Sequence, residues 1–506
     1  MKIAVRVDGS RAIGTGHVRR MISLAKALRE MGGDIVFLWR DLGLDNGAEF
    51  SAAGFPSLRL AAPSQPFTPA LGEPPHARWA EVPASVDAAE TVAALANARI
   101  ERVVVDSYAF DARWHRTVGD ALGVPIAVID DLADRELLAD LVVDHNFAPD
   151  HRVKYAGRLP LATRLLGGPR FALLDPGYAS KPRLALHQDV RSIGVFMGGA
   201  DPANATARAL DAIAANGFAG ETEVVATSAN AHLPELIARA EASPRLKLSV
   251  GLPDLSGFFA RHDLQIGAGG GATWERCCIG APTLGVIVAD NQHASLRPLA
   301  EAGVLAVCDS LDVEALARAL GALIEDSRRR AAFAEASRAL VDGLGACRVA
   351  AALMQPALTV RAATFEDAER MFDWRNDPAV RAVSRNAEAF GMADHLAWLR
   401  TTLASGTRQL FIGEIGGQPI GVIRFDRLPD ARREVSLYLD PAYLGLGLGP
   451  ALLRAGEKAV GGTGGFAATV LEDNPASSKL FAAAGYHELT PGLWTKDADG
   501  GAKEEA

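Results

Sequence analysis

His17 closes the run Gly9-Ser10-Arg11-Ala12-Ile13-Gly14-Thr15-Gly16, between a short apolar strand pattern and a helical one. Gly14 and Gly16 permit a tight strand-to-helix turn and let a ligand approach the backbone closely. The start of the helix adds unpaired N–H groups and the positive end of a dipole, both suited to a phosphate. The same dipole disfavours an imidazolium, so the position predicts a neutral His17 able to take a proton from water. A dinucleotide fingerprint is excluded, because Arg19 stands where its third glycine belongs. A plain glycine turn opened by an ordinary helix-start histidine fits the spacing equally well.

Two further cradles follow. Gly198 and Gly199 lie between a strand and a helix starting near Asn204, with Asp201 and Asn204 both able to cap it. The run Gly267-Ala268-Gly269-Gly270-Gly271-Ala272-Thr273-Trp274-Glu275 has a glycine density that is costly in backbone entropy unless something must come close. It predicts a diphosphate held on Gly270, Gly271 and Thr273. Glu275, in the first turn of the next helix, suits two ribose hydroxyls or simply complements the helix dipole. Asn291 and Gln292 add polar groups beside the same cleft.

The third glycine turn is Gly445-Leu446-Gly447-Leu448-Gly449, after a strand ending at Leu439. Its alternating glycines expose successive amides to a pyrophosphate. Glu414 and Glu434, at strand positions, are the candidate bases nearby, or else belong to a solvated strand face. Asp130 and Asp131 form a carboxylate pair that reads as caps. H-E-x-x-H, C-x-x-C and D-x-D clusters are missing, so no metal is expected.

Positioning these turns takes more than one core: 506 residues imply two to four domains. A hydrophobic content of 49% with 22% charged residues describes a globular protein, and a net charge of −9 speaks against a nucleic-acid partner. The four cysteines form no disulfide pattern and are expected as small buried residues in a reducing cytoplasm. Charges interrupt the N-terminal apolar stretch, and no run approaches the roughly 18 apolar residues of a membrane span, so neither a leader nor a membrane is expected.

Short β-branched runs at 3–8, 34–39, 103–106, 126–129 and 141–144 alternate with helical stretches such as 18–31, the mark of an open α/β sheet over residues 1–175. The proline-marked stretch 174–188 reads as a linker. A second βα block over 189–354 has strands near 193–196, 223–226, 247–250, 264–267, 283–288 and 305–308, then a helical segment 313–354. Two Rossmann-like domains of similar size predict a glycosyltransferase-B-like arrangement with the ligand in a cleft. Residues 356–496 switch to an α+β pattern, with largely antiparallel strands at 358–361, 410–415, 420–426 and 434–439.

Arg6-Val7-Asp8-Gly9-Ser10 with Ile13-Gly14-Thr15-Gly16-His17 resembles the opening of the UDP-sugar hydrolases of pseudaminic acid biosynthesis. Asp106-Ser107-Tyr108, Gly198-Gly199-Ala200-Asp201-Pro202, the glycine loop leading to Glu275, and Asn291-Gln292 follow in that family's order over about residues 1–350. The resemblance implies His17, Asp106 and Tyr108 as catalytic residues. It implies UDP bound by Gly14, Gly16, Gly198, Gly199, Asp201, Gly270, Gly271, Thr273, Glu275, Asn291 and Gln292. The loop here is less serine-rich than in that family.

The turn at 445–449, with Asn474-Pro475 and Ala484-Gly485-Tyr486 downstream, resembles the GNAT acetyltransferases. Trp374-Arg375-Asn376-Asp377-Pro378 and His395-Leu396-Ala397-Trp398 resemble the N-terminal part of its amino-sugar and ribosomal-protein members. That implies acetyl-CoA as cosubstrate, held by Leu439, Gly445, Gly447, Gly449, Asn474 and Ser477. Leu444 and Phe481 depart from the family, which usually has a polar residue and a tyrosine acid there. Together the two resemblances imply a UDP-amino-sugar substrate, N-acetylated and then hydrolysed, with the two steps fused to raise local concentration of the intermediate. A UDP-sugar glycosyltransferase, a non-catalytic UDP-sugar sensor and a legionaminic-type hydrolase remain open alternatives, as does the oligomeric state.

Overall fold

The computed structural model of the chain describes residues 1–289, 292–461 and 464–497. They divide into two compact units: Lys2–Ala27 with Ile35–Val349, and Met1 and Leu28–Asp34 with Ala350–Ala506.

The larger unit holds two open sheets. The first contains β1 (Lys2–Val7), β2 (Asp34–Arg40), β3 (Ser57–Leu60), β4 (Arg102–Asp106), β5 (Ile126–Ile129), β6 (Leu141–Asp144) and β7 (Arg164–Gly167), in the order β3-β2-β1-β4-β5-β6-β7. Val103, Val104, Val105, Val142 and Val143 are fully buried, as expected of parallel strands covered by helices on both faces. β3 and β7 escape the sequence pattern because each is only four residues long, with a charged Arg59 or Arg164 inside it.

The second sheet contains β8 (Ser192–Phe196), β9 (Glu221–Ala226), β10 (Leu246–Val250), β11 (Leu264–Ala268), β12 (Thr283–Val286) and β13 (Ala306–Cys308), in the order β10-β9-β8-β11-β12-β13. Every pairing in it is parallel. With two Rossmann-like sheets in one unit, the fold class is glycosyltransferase-B-like α/β.

Strand order reverses at β1/β4 in the first sheet and at β8/β11 in the second, and open α/β sheets bind ligands at such switch points. The His17 loop follows β1 and Asp106 ends β4; Gly198 follows β8 and Gly269 follows β11. The registers Val7↔Asp106 and Phe196↔Gly267 set these loops side by side.

Two expectations need correction. The stretch 174–188 is not a free linker: Leu174, Tyr178 and Leu184 are buried in the core formed by Trp274, Cys278 and Ile279, around a short 3-10 turn Pro176–Ser180. Its prolines set that turn instead of loosening the chain. The helical segment 313–354 is three helices, Val313–Glu325, Ser327–Leu340 and Gly345–Leu353; Asp326 caps the second through the Arg329 amide. Cys277, Cys278 and Cys308 are buried, and no disulfide is formed among the described residues.

The smaller unit carries a mixed seven-stranded sheet: β14 (Leu358–Ala362), β15 (Arg408–Ile415), β16 (Gln418–Arg427), β17 (Arg433–Leu439), β18 (Phe466–Thr469), β19 (His487–Thr490) and β20 (Leu493–Lys496), in the order β14-β15-β16-β17-β18-β20-β19. β14 to β17 form antiparallel ladders, whereas β17 and β18 run parallel and pair only at Arg433↔Phe466 and Glu434↔Ala467. Beyond Glu434 the two strands part. No helix among the described residues is long and apolar enough to cross a membrane.

Candidate functional sites

The helix Gly16–Glu30 starts directly beneath β1, so His17 lies in its first turn as the spacing requires. The loop before it is folded by Ser10, whose hydroxyl accepts from the Ala12 and Ile13 amides, and by Gly14 at φ +80°, whose N–H meets the Ser10 carbonyl at 2.8 Å. A Cβ at Gly14 or Gly16 would meet nothing within 4 Å, so both present open backbone.

His17 is buried, and its Nδ1 lies 2.6 Å from Asp106 Oδ1. Burial opposes the charge on Asp106, but Arg20 and His17 outweigh it and hold this carboxyl well below the usual carboxylate range. A carboxylate only accepts, so Nδ1 carries a proton, and in the neutral ring Nε2 holds the lone pair. Arg20 grips both Asp106 oxygens, each at 2.6 Å. Tyr108 packs edge-on to His17 at 4.8 Å between ring centres, and burial keeps its phenol protonated to donate to Asp131.

Asp131 is therefore not a cap. Its partners are Tyr108, Arg20 at 3.4 Å and His145 at 3.9 Å, while Asp130 holds the Ala133 amide, Arg135 and Tyr155. Burial and then Arg20 push His145 down to about 4, so it is neutral at pH 7, with Nδ1 buried and unpartnered among the described residues. Arg20 and His145 were not singled out by sequence, and Asp131 was read only as a cap, since only the fold brings residues 20, 131 and 145 to one switch point.

A buried ionic network lies under the loop. Arg6 donates to Asp8 at 2.6 Å and to Asp87 at 2.6 and 3.2 Å; Arg40 donates to Asp87 at 2.8 Å and to Glu90 at 2.6 Å; Trp114 adds a 3.1 Å bond to Asp87. Asp8 also accepts the Arg40 amide at 2.7 Å, which fixes the residue just ahead of Gly9.

In the second sheet, Gly198 has φ +96° and open space where a side chain would be, and the Gly199 carbonyl accepts from Thr227 at 2.7 Å. Asp201 is buried and caps the helix Ala205–Ala215 through the Ala205 and Thr206 amides, so it shapes the turn with its carboxylate already engaged. Gly270 and Gly271 are open on their Cβ sides. Gln292 ties the Gly269 and Val288 amides together, and Asn291 lies outside the described residues. Thr273 is buried, its hydroxyl 3.4 Å from the Ala268 carbonyl and 3.1 Å from Arg276, so it faces inward.

Glu275, in the helix Ala272–Ile279, accepts from Tyr178, while its Oε2 is buried with no partner among the described residues. Desolvation pushes its carboxyl up to about 7. Arg276 and Arg19, two residues past His17, favour its ionised form without offsetting the desolvation.

In the smaller unit, Gly445 and Gly447 have φ +79° and +66°, and buried Leu446 and Leu448 anchor the turn that opens the helix Gly449–Val460. Leu439 ends β17 on the stretch that β18 leaves unpaired. Asn474 is buried; it caps the helix Pro475–Ala483 through the Ser477 amide and donates to the Val383 carbonyl at 3.3 Å. Both candidate bases are ion-paired instead of solvated: Glu414 with Arg361 at 2.8 Å, and Glu434 with Arg385. Phe481 is buried, and nearby Tyr486 donates to Glu457.

The spore coat polysaccharide biosynthesis protein SpsG of Bacillus subtilis is 29% identical over 197 residues, which span 38% of this chain and 58% of that relative's length. The S. aureus MnaA–UDP co-structure superimposes with a TM-score of 0.49 at 16% identity, over 70% of this chain and 96% of that one. Acinetobacter baumannii MurG gives 0.47 at 14%, over 69% and 98%. Residues 368–486 match the Acetyltransferase (GNAT) family, so the C-terminal region is a GNAT acetyltransferase domain.

Proposed function

We propose that the chain is a bifunctional enzyme of pseudaminic acid biosynthesis. Its GNAT domain, residues 356–496, transfers acetyl from acetyl-CoA to the amine of a UDP-4-amino-4,6-dideoxy sugar. Its two Rossmann-like domains, 1–175 and 189–354, hydrolyse the UDP-2,4-diacetamido-2,4,6-trideoxy product to UDP and free sugar.

In the hydrolysis, His17 Nε2 takes a proton from water as the water oxygen bonds to the anomeric carbon. The anomeric C–O bond breaks, and UDP leaves with its electron pair. Asp106 holds the ring and stabilises the imidazolium as it forms. Backbone amides at Gly16, Gly270 and Gly271, where no side chain bars a ligand's approach, favour the charge growing on the diphosphate. Glu275 Oε2 accepts from the ribose.

The observation that carries this reading is His17 held by an ionised Asp106 at one switch point, with an unpartnered Glu275 oxygen at the other. The test is mass spectrometry of the purified protein with acetyl-CoA and UDP-4-amino-4,6-dideoxy-N-acetyl-β-L-altrosamine. UDP and free diacetamido sugar, formed only when acetyl-CoA is present, are the expected products. Accumulation of the acetylated UDP-sugar overturns the hydrolase half, and unchanged turnover in His17→Ala overturns the base.

A further inference from the structure

Between β3 and the helix Ala84–Leu95 the chain makes a short 3-10 turn, Ala77–Ala80, which the proposed hydrolysis leaves unused. Ala77 and Ala80 are buried and pin the turn to the first domain. The Trp79 amide donates to the His76 carbonyl at 2.9 Å, and Glu81, at φ 55°, ends the turn. Held in this way, the turn presents two half-buried rings, His76 and Trp79, with centres 4.5 Å apart. Trp79 rests partly on the core beneath it.

Both rings reach Tyr108. Its centre lies 5.8 Å from His76, 5.8 Å from Trp79 and 4.8 Å from His17. Tyr108 follows β4, and Asp134, whose carboxylate is 4.0 Å from His76 Nε2, lies in the loop after β5. The two rings therefore sit at the carboxyl ends of these strands, the side on which an open α/β sheet binds its ligand. Burial lowers the His76 pKa against the pull of Asp134, so this ring is neutral at pH 7 and adds an apolar face. An aromatic row thus begins beside His17 and runs outward to partly uncovered rings, whereas the other neighbours of His17, Asp106 and Arg20, are charged.

A 6-deoxy pyranose is divided in the same way. Its methyl is separated from the anomeric carbon by only C5 and the ring oxygen, so with the anomeric carbon at His17 the methyl lies at the end of the sugar nearest that row. Ring faces there remove it from water. A hydroxymethyl group in its place gives up water against surfaces that return no hydrogen bond. We propose that His76 and Trp79 form the sugar-facing wall of the first switch point and make the chain prefer 6-deoxy UDP-sugars to their 6-hydroxy counterparts. Apolar surfaces discriminate by modest factors, about 10–100-fold for a single hydroxyl. The inference rests on the placement of the sugar at His17 in the proposed hydrolysis and names the substrate feature read there.

The test is calorimetry on the full-length protein with UDP, the UDP-2,4-diacetamido-2,4,6-trideoxy sugar and its 6-hydroxy counterpart, in a His17→Ala background so that neither sugar is consumed. The deoxy sugar is expected to bind about 10–100-fold tighter than the 6-hydroxy one. Trp79→Ala should abolish that preference and His76→Ala should reduce it. Trp79→Phe, which keeps a ring on the core, should retain most of it. An unchanged affinity for UDP certifies that the variants fold. A preference that survives Trp79→Ala, a parent protein that shows none, or a Trp79→Ala loss equal for both sugars overturns the wall. UDP release is followed separately with His17 intact: if none occurs while the Trp79-dependent preference stands, the hydrolysis falls and the wall remains.

Discussion

His17 and Asp106 meet at 2.6 Å although 89 residues separate them, because β1 and β4 are neighbours at the point where the strand order reverses. The bond leaves Nε2 as the nitrogen able to accept. Asp106→Asn keeps the size of the side chain but allows the other tautomer. The proposed hydrolysis should fall by roughly 10²–10⁴-fold in kcat with little change in KM. Steady-state UDP release is the measurement; a loss confined to KM would assign Asp106 to binding.

Glu275 gives a pH signature. With its carboxyl at about 7, it is increasingly protonated below that pH and loses the acceptor proposed for the ribose. UDP affinity should therefore fall as pH drops from 8 to 6, and titration calorimetry on Glu275→Gln should show a flatter profile. The stability linkage has the opposite sense. Between 4.5 and about 7 the folded chain retains a proton that the unfolded chain releases, so this group lowers stability as pH rises through that window.

Asp87 is buried beneath two guanidiniums, and its removal leaves Arg6 and Arg40 without their shared anion. Asp87→Ala should destabilise the larger unit by about 3–5 kcal/mol, seen as an earlier denaturant midpoint. Burial opposes the charge on Asp87, but Arg6 and Arg40 hold its pKa below the ordinary 3.8. Its contribution is present above that value and is lost as pH falls further, so acid unfolding of Asp87→Asn should show a shallower slope.

Gly445 and Gly447 both lie in the left-handed region, where a side chain costs about 1 kcal/mol. Gly447→Ala should raise KM for acetyl-CoA several-fold through a misdirected turn. Acceptor KM and the proposed UDP-sugar hydrolysis should stay as they are, and a parallel loss in UDP release would mean the substitution acts through folding.

Much of this was legible in the sequence wherever chemistry and a local turn coincide. His17, the glycine runs and Glu275 all sit at strand-to-helix junctions, where residue type and spacing carry the signal. Arg20 was written in the same motif but has no local mark of function, and only its grip on Asp106 shows it. Thr273 looked like a phosphate hydroxyl because it follows glycines, yet the pitch of its helix turns it toward Arg276. Asp131 looked like a cap because it follows a strand, and its neighbour Asp130 took that place.

The parting of β17 and β18 has a kinetic meaning. β18 turns its other edge to β20, with four paired residues there against two toward β17, so the gap is a property of strand connectivity. A cleft fixed in this way needs no prior opening before it accepts a coenzyme. For a site held open in this way the competent fraction would be close to the whole population, and no part of the intrinsic affinity would be spent on selecting a rare conformer.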